Sequence, residues 1–253
     1  MILLLSGEGA TDLGTCRLPG ADCEGRDFEP GPMAWLVDGM VGNIWGYSPL
    51  NAAACVLVPK TALAIHCRTE RMGPALPGKK RGTETAYFFK NARGLARMAL
   101  RWSAQKDCPV GAVLFRDTDG TASSPRSLWS DKVNSMEAGF EAEGFVLGVP
   151  MVPKPKSEAW LLCALQTVPY QDCSRLEDLP GNDGSPNSAK DELDKTLDRR
   201  GKSYGDVPQL IEDGAIDPHR IQMPSFDRFR ECLESVATRM LRGGALGASR
   251  SGG

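Results

Sequence analysis

At 253 residues, with 41% hydrophobic and 25% charged residues, the chain has the composition of a soluble globular protein long enough to bury a large core. A formal net charge of −2 argues against binding of nucleic acid through overall charge, and no apolar run reaches membrane-spanning length. The charge is uneven, however: residues 60–106 hold eleven Lys and Arg against two Glu, whereas residues 172–217 hold twelve Asp and Glu against six Lys and Arg. The eight cysteines include no C-x-x-C pair, so they are expected to be scattered reduced thiols of a cytoplasmic protein rather than a disulfide framework or a zinc site. Residues 1–5 are too short and lack the basic flank of a signal peptide.

Residues 1–6, MILLLS, read as a buried strand that runs into Gly7-Glu8-Gly9, with Asp12 four residues after Glu8. Residues 13–32, rich in Gly, Pro, Asp and Glu, read as an irregular insertion. A short helix is expected over 33–40 and strands over 52–58 and 62–67. The loop 68–82 carries Lys79, Lys80 and Arg81, three consecutive cations suited to phosphate contacts. Residues 84–104 form the clearest helix, with Phe89, Ala92, Leu95, Ala96, Ala99 and Leu100 at core spacing. Lys90, Arg93, Arg97 and Arg101 fall on one stripe of it with no acidic partner four residues away, which favours an anionic partner such as nucleic acid.

The central stretch is VGAVLFRDTDGT, residues 110–121: a doubly covered strand ending in Asp117 and Asp119. Two neighbouring carboxylates repel each other, and a divalent cation between them relieves that repulsion. In open α/β sheets ligands bind at the carboxyl ends of strands. A helix over 127–143 and a strand over 145–152 follow, leading into Lys154, Lys156 and Glu158, with Ser157 expected to cap a helix over 158–165. Beyond 167 the chain turns polar, with a charged helix within 182–201, an amphipathic helix over 226–241 and a small-residue tail, 243–253, expected to be disordered.

Three strand ends thus carry Glu8, the Asp117/Asp119 pair and the 154–158 segment. SGEGATD, FRDTDG and KPKSEAW in this order resemble a Toprim domain, closest to the small stand-alone OLD-like Toprim nucleases; residues 182–190 and MPSFDRF (223–229) are similar to the C-terminal part of that group. The resemblance implies an α/β fold with a mostly parallel sheet flanked by helices over 1–165, an insertion at about 14–60, and a smaller, mainly helical extension over 166–242. It implies Mg²⁺ or Mn²⁺ bound by Glu8, Asp12, Asp117, Asp119 and Glu158, with Glu8 also a general acid or base. Lys154 or Lys156 would offset transition-state charge. The implied activity is metal-dependent cleavage of DNA or RNA by a cytoplasmic defence or mobile-element effector. An ABC- or AAA-type ATPase and further copies of the chain are the implied protein partners.

Two features depart from the pattern: Arg116 stands where a small or apolar residue is expected, and the insertion after Asp12 is long. A rival reading comes from DTDGT, which resembles the first motif of haloacid-dehalogenase-type phosphatases, with Asp117 as nucleophile, Asp119 as general acid and Gly205-Asp206 as the later acidic motif. A third is a non-catalytic Toprim-shaped subunit of a defence complex.

Overall fold

The computed structural model describes residues 1–9, 11–18, 22–70, 82–118 and 126–248. Its centre is a five-stranded sheet built from β1 (Ile2–Ser6), β3 (Cys23–Glu24), β5 (Cys55–Leu57), β6 (Val110–Phe115) and β7 (Gly148–Met151), in the order β3-β5-β1-β6-β7. All pairings are parallel except that of the edge strand β3 with β5. β1 and β6 are buried on both faces, which is why their sequences are continuous apolar runs.

Alternation along the strands divides the core in two. Leu3, Leu5, Val113 and Phe115 face α1 (Pro32–Trp45), α5 (Ser157–Leu165) and α8 (Pro224–Ala248). Leu4, Ala112 and Leu114 face α2 (Lys60–Thr69), α3 (Gly82–Lys106) and α4 (Arg126–Glu141). β1 leaves for β5 through α1 on the first face, and β6 leaves for β7 through α4 on the second. The neighbouring strands β1 and β6 therefore send their connections in opposite directions over opposite faces, and their carboxyl ends frame a topological switch point.

Several expectations are corrected. Residues 62–67 are not a strand but part of α2: Leu63 and Cys67, four apart, face the sheet while Ile65 is 57% exposed. Leu100 of α3 turns outward. The segment after Asp12 is not irregular: β2 (Gly14–Cys16) and β4 (Phe28–Pro30) form an antiparallel ribbon, and β3 joins the sheet edge. Gly14 sits in the ribbon at φ +110, where an added Cβ would lie 2.0 Å from the Glu29 carbonyl oxygen. α8 continues to Ala248, seven residues past the expected end of the amphipathic helix and into the expected tail.

The cysteines are not all reduced. Cys16–Cys23 and Cys163–Cys173 are disulfides, with Cα atoms 5.7 and 5.2 Å apart, inside the range that a disulfide spans. Cys55, Cys67, Cys108 and Cys232 are free.

The helices after α5, α6 (Ala189–Asp198), α7 (Val207–Glu212) and α8, share the α1-side core. Trp160 of α5 stacks on Phe229 at 5.6 Å, meets Phe226 edge-on and donates Nε1–H to Ser225 Oγ at 2.8 Å. That packing fixes the start of α5, where the site lies. Among the described residues no helix is long and apolar enough to cross a membrane.

Candidate active site at the carboxyl end of the sheet

The loop after β1, the end of β6 and the start of α5 meet at the switch point. Asp12 is pinned through its backbone, its carbonyl oxygen accepting from Met33 N–H at 2.9 Å. Its carboxylate lies so close to Gly9 that a Cβ there would stand 2.5 Å from Oδ2. Asp117 follows β6 on the α1 side of the sheet. Thr118 points the other way, its hydroxyl bonded to the carbonyl oxygens of Pro153 and Pro155, while Lys132 Nζ donates to the Thr118 carbonyl. Those bonds tie the end of β6 to the β7–α5 connection, whose Lys154–Pro155 peptide is cis.

Ser157 joins the acids. Its hydroxyl donates to Asp12 Oδ1 at 2.7 Å and lies 3.4 Å from Glu158 Oε2, and its backbone N–H donates to Asp117 Oδ1 at 3.3 Å. The expected capping of α5 by Ser157 is corrected: Ser157 is the first helical residue, and its side chain serves Asp12.

The electrostatics follow from burial. Asp117 is pushed well above the usual carboxylate range, first by burial and then by the charges of Asp12 and Glu158. Burial also raises Asp12, against the Ser157 hydrogen bond and the charge of Lys156. Glu158 is raised by burial and by Asp12, although its own backbone N–H opposes the shift. Tyr204, from the chain beyond α6, packs near Ser157, and burial followed by the same three acids holds its phenol protonated. Burial works against the Lys156 ammonium, but its 2.8 Å bond to Asp183 and the nearby acids keep it charged.

Glu8 is placed differently. Its Oε1 lies 3.4 Å from Arg116 Nε and 3.7 Å from Lys60 Nζ, on the side of the sheet end that faces α2 and α3. Lys154 turns away to Glu177 at 3.6 Å. The structure brings together Asp12, Asp117, Glu158 and Lys156; Glu8 pairs with Arg116 and Lys60 while its charge still acts on Asp12, and Lys154 pairs with Glu177. Asp119, Lys79, Lys80 and Arg81 lie outside the described residues. Among the described residues, no three His, Cys, Asp or Glu side chains stand as a ready cage for a metal ion.

The basic stripe on α3 is not unpaired. Glu143 accepts from Arg93 Nε at 2.6 Å and Arg97 Nε at 2.7 Å, and Glu70 pairs with Arg97 and Arg101. The acids come from the end of α2 and the turn after α4, which helical spacing alone does not reveal. Lys90 is half-buried, its carbonyl oxygen facing the Cys67 thiol. Asp206 of the rival motif accepts from Ser203 N–H and Oγ at 2.7 and 2.9 Å and closes a local capping box. Sequence reasoning missed Ser157 as the link between the acids and missed Tyr204 altogether; a lone Tyr in a polar stretch gives no signal.

The chain matches no protein-family model, no curated protein and no solved structure.

Proposed function

We propose that the protein is a metal-dependent phosphodiester hydrolase of the Toprim type acting on nucleic acid, with Asp12, Asp117 and Glu158 as the carboxylates that hold the ion. The observation that carries this reading is that Ser157 links a buried acid, Asp12, to two half-buried ones, Asp117 and Glu158, at the switch point. Ionised carboxylates in that setting repel, and a bound cation is the direct way to relieve the cost.

The donor set fits Mg²⁺ or Mn²⁺: hard oxygen ligands, with no thiol or imidazole acting on Asp117 or Glu158 among the described residues. When bound, such an ion supplies Lewis-acid polarisation of a phosphoryl oxygen. The chain's own groups supply the rest. Ser157 orients Asp12 through its hydroxyl and Asp117 through its N–H. Lys156, held charged beside the cluster, offsets the negative charge that gathers on the phosphoryl oxygens. Tyr204, kept protonated, is a hydrogen-bond donor at the same end of the sheet. Glu8, 21% exposed, is the remaining acid at this sheet end and the candidate general acid or base.

The test is a cleavage panel: supercoiled plasmid, linear duplex, single-stranded DNA and total tRNA, each with Mg²⁺, Mn²⁺ or EDTA. A generic phosphomonoester runs alongside. The expected result is metal-dependent strand cleavage that Asp117→Asn abolishes. Turnover of the monoester without strand cleavage would move the protein to the phosphatase reading. No turnover with any substrate would make it a non-catalytic subunit, and the search for an ATPase partner would follow.

A further inference from the structure

Arg116 belongs to the sheet end but not to the carboxylate cluster. The residue has 0% exposure. Its Nη1 donates to the carbonyl oxygens of Phe115 at 2.7 Å and Ser6 at 3.4 Å. Neither Nε nor Nη2 has a hydrogen-bond partner among the described residues, and the same is true of the buried Ser6 hydroxyl on the neighbouring strand. Alternation puts Ser6 and Arg116 on one face: Leu4 and Leu114, two residues before each, lie in the α3-side core. Buried polar groups without partners are uncommon, and a charged one costs more than a neutral one. Of these three atoms at the ends of adjacent strands, Nε has the Glu8 carboxylate at 3.4 Å and Tyr87 of α3 lies against the guanidinium, so an anion that replaced Glu8 would meet Nε and come within reach of Nη2 and the Ser6 hydroxyl.

Charge selects the kind of acceptor. Arg116 and Lys60 share a single carboxylate oxygen of Glu8. A ligand that takes the place of Glu8 meets two positive charges. The first turn of α2, which contains Lys60, has no acidic residue and no side-chain cap, so its free N–H groups add to the same field. A cavity of about 330 Å³ opens beside Glu8 and Lys60, lined also by Gly9 and Thr61 and, from the α1 side, by Leu13 and Leu57; Ser6 and Arg116 do not line it. The Glu8 side chain stands between that cavity and the buried guanidinium. A phosphomonoester dianion matches the two charges and offers three oxygens. An internal phosphodiester carries one charge and a sugar on either side, so it matches neither the two positive charges nor the room that a displaced Glu8 carboxylate would leave.

We propose that Ser6, Arg116 and Lys60 form a subsite for a terminal phosphate group, and that the Glu8 carboxylate holds that place in the free protein. The choice of a nucleic-acid end as the source of the phosphate rests on the hydrolase reading above; the anion subsite does not.

The test is run in EDTA, so that it reads binding without metal or turnover. Fluorescence anisotropy compares one single-stranded oligonucleotide carrying a terminal phosphate with the same strand ending in hydroxyls. Thermal unfolding compares inorganic phosphate with chloride at matched ionic strength. The phosphorylated end is expected to bind about tenfold tighter, and phosphate to raise the melting temperature. Glu8→Gln, which leaves no carboxylate to displace, is expected to tighten both responses by about tenfold. Arg116→Met in the Glu8→Gln background is expected to remove them, and the single variant carries the test if the double one does not fold. Equal affinity for both ends overturns the nucleic-acid end, and if inorganic phosphate alone raises the melting temperature the ligand is free phosphate. No tightening in Glu8→Gln overturns the subsite itself, leaving ordered water as the partner of the three atoms. Strand cleavage is scored separately, so cleavage with no end preference refutes this inference and spares the hydrolase, and the converse result does the opposite.

Discussion

Two charged clusters among the described residues differ in how far opposite charges are paired. On α3, Arg93, Arg97 and Arg101 meet Glu143 and Glu70, and the network ties together α3, the end of α2 and the turn after α4. At the sheet end, Asp12, Asp117 and Glu158 share Lys156 and one serine, and burial pushes all three acids toward the neutral form. Paired charges of the first kind hold structure together. The fold supports unbalanced ones of the second kind at a cost in stability, and such costs gather where a ligand is to bind.

The largest expected effect is that of Asp117→Asn, which abolishes cleavage. In EDTA at neutral pH the same variant is more stable than wild type, because it removes a charge that burial and the neighbouring acids disfavour. The sign follows from linkage. Asp117, Asp12 and Glu158 have folded-state values raised above their unfolded ones, so their ionisation destabilises the fold at neutral pH. That penalty fades as pH falls through the folded values and is gone below the unfolded ones. The advantage of Asp117→Asn therefore shrinks on acidification, as chemical denaturation at a series of pH values would register.

Trp160→Ala is expected to cost about 3–5 kcal/mol, since a fully buried indole packed on Phe226 and Phe229 leaves a large cavity. Stability and cleavage should fall together in that variant, in contrast to Asp117→Asn, where they separate. Ser157→Ala keeps the fold and lowers metal affinity or activity by about 10–100-fold, as the loss of a group that orients ligands does. An unchanged activity would mean that the 2.7 Å bond to Asp12 is only local packing.

Glu143→Gln probes the other cluster. It costs about 1–2 kcal/mol at neutral pH and leaves cleavage per folded molecule unchanged. Glu143 lies below its usual value, because Arg97 and Arg93 outweigh its burial. Its contribution is thus present above the unfolded carboxylate value and lost as pH falls through the folded one. Both variants converge on wild type in acid, from opposite sides. In the double variant Arg93→Glu with Arg97→Glu, stability falls while nucleic-acid affinity holds; a collapse of affinity in the folded fraction would return the stripe to a binding role.

The sheet and its helices were legible in the sequence because apolar runs of four to six residues and a 3.6-residue period leave clear marks over β1, β6, α3 and α8. So was the placing of acids after strands, which located Asp12, Asp117 and Glu158. What was not legible depends on contacts between distant segments. Glu143 and Glu70 pair with the three arginines of the stripe, across 46 and 27 residues from Arg97. Glu8 looked equivalent to the other acids, but it faces Arg116, because Asp117 and Arg116 leave β6 on opposite sides of the sheet. The segment 62–67 misled because six residues can satisfy both a strand and a helix pattern, and Leu63 and Cys67 decide it only once their four-residue spacing is seen to meet the sheet. The two disulfides join cysteines seven and ten residues apart, spacings with no signature of their own.

The claim on which the rest depends is that the sheet-end carboxylates take a divalent cation. Isothermal titration of Mn²⁺ into the metal-free protein, with Asp117→Asn beside it, tests this most directly. The account predicts saturable binding to wild type, released by EDTA and absent from the variant. Absence of binding to wild type, or equal binding to both proteins, would contradict it.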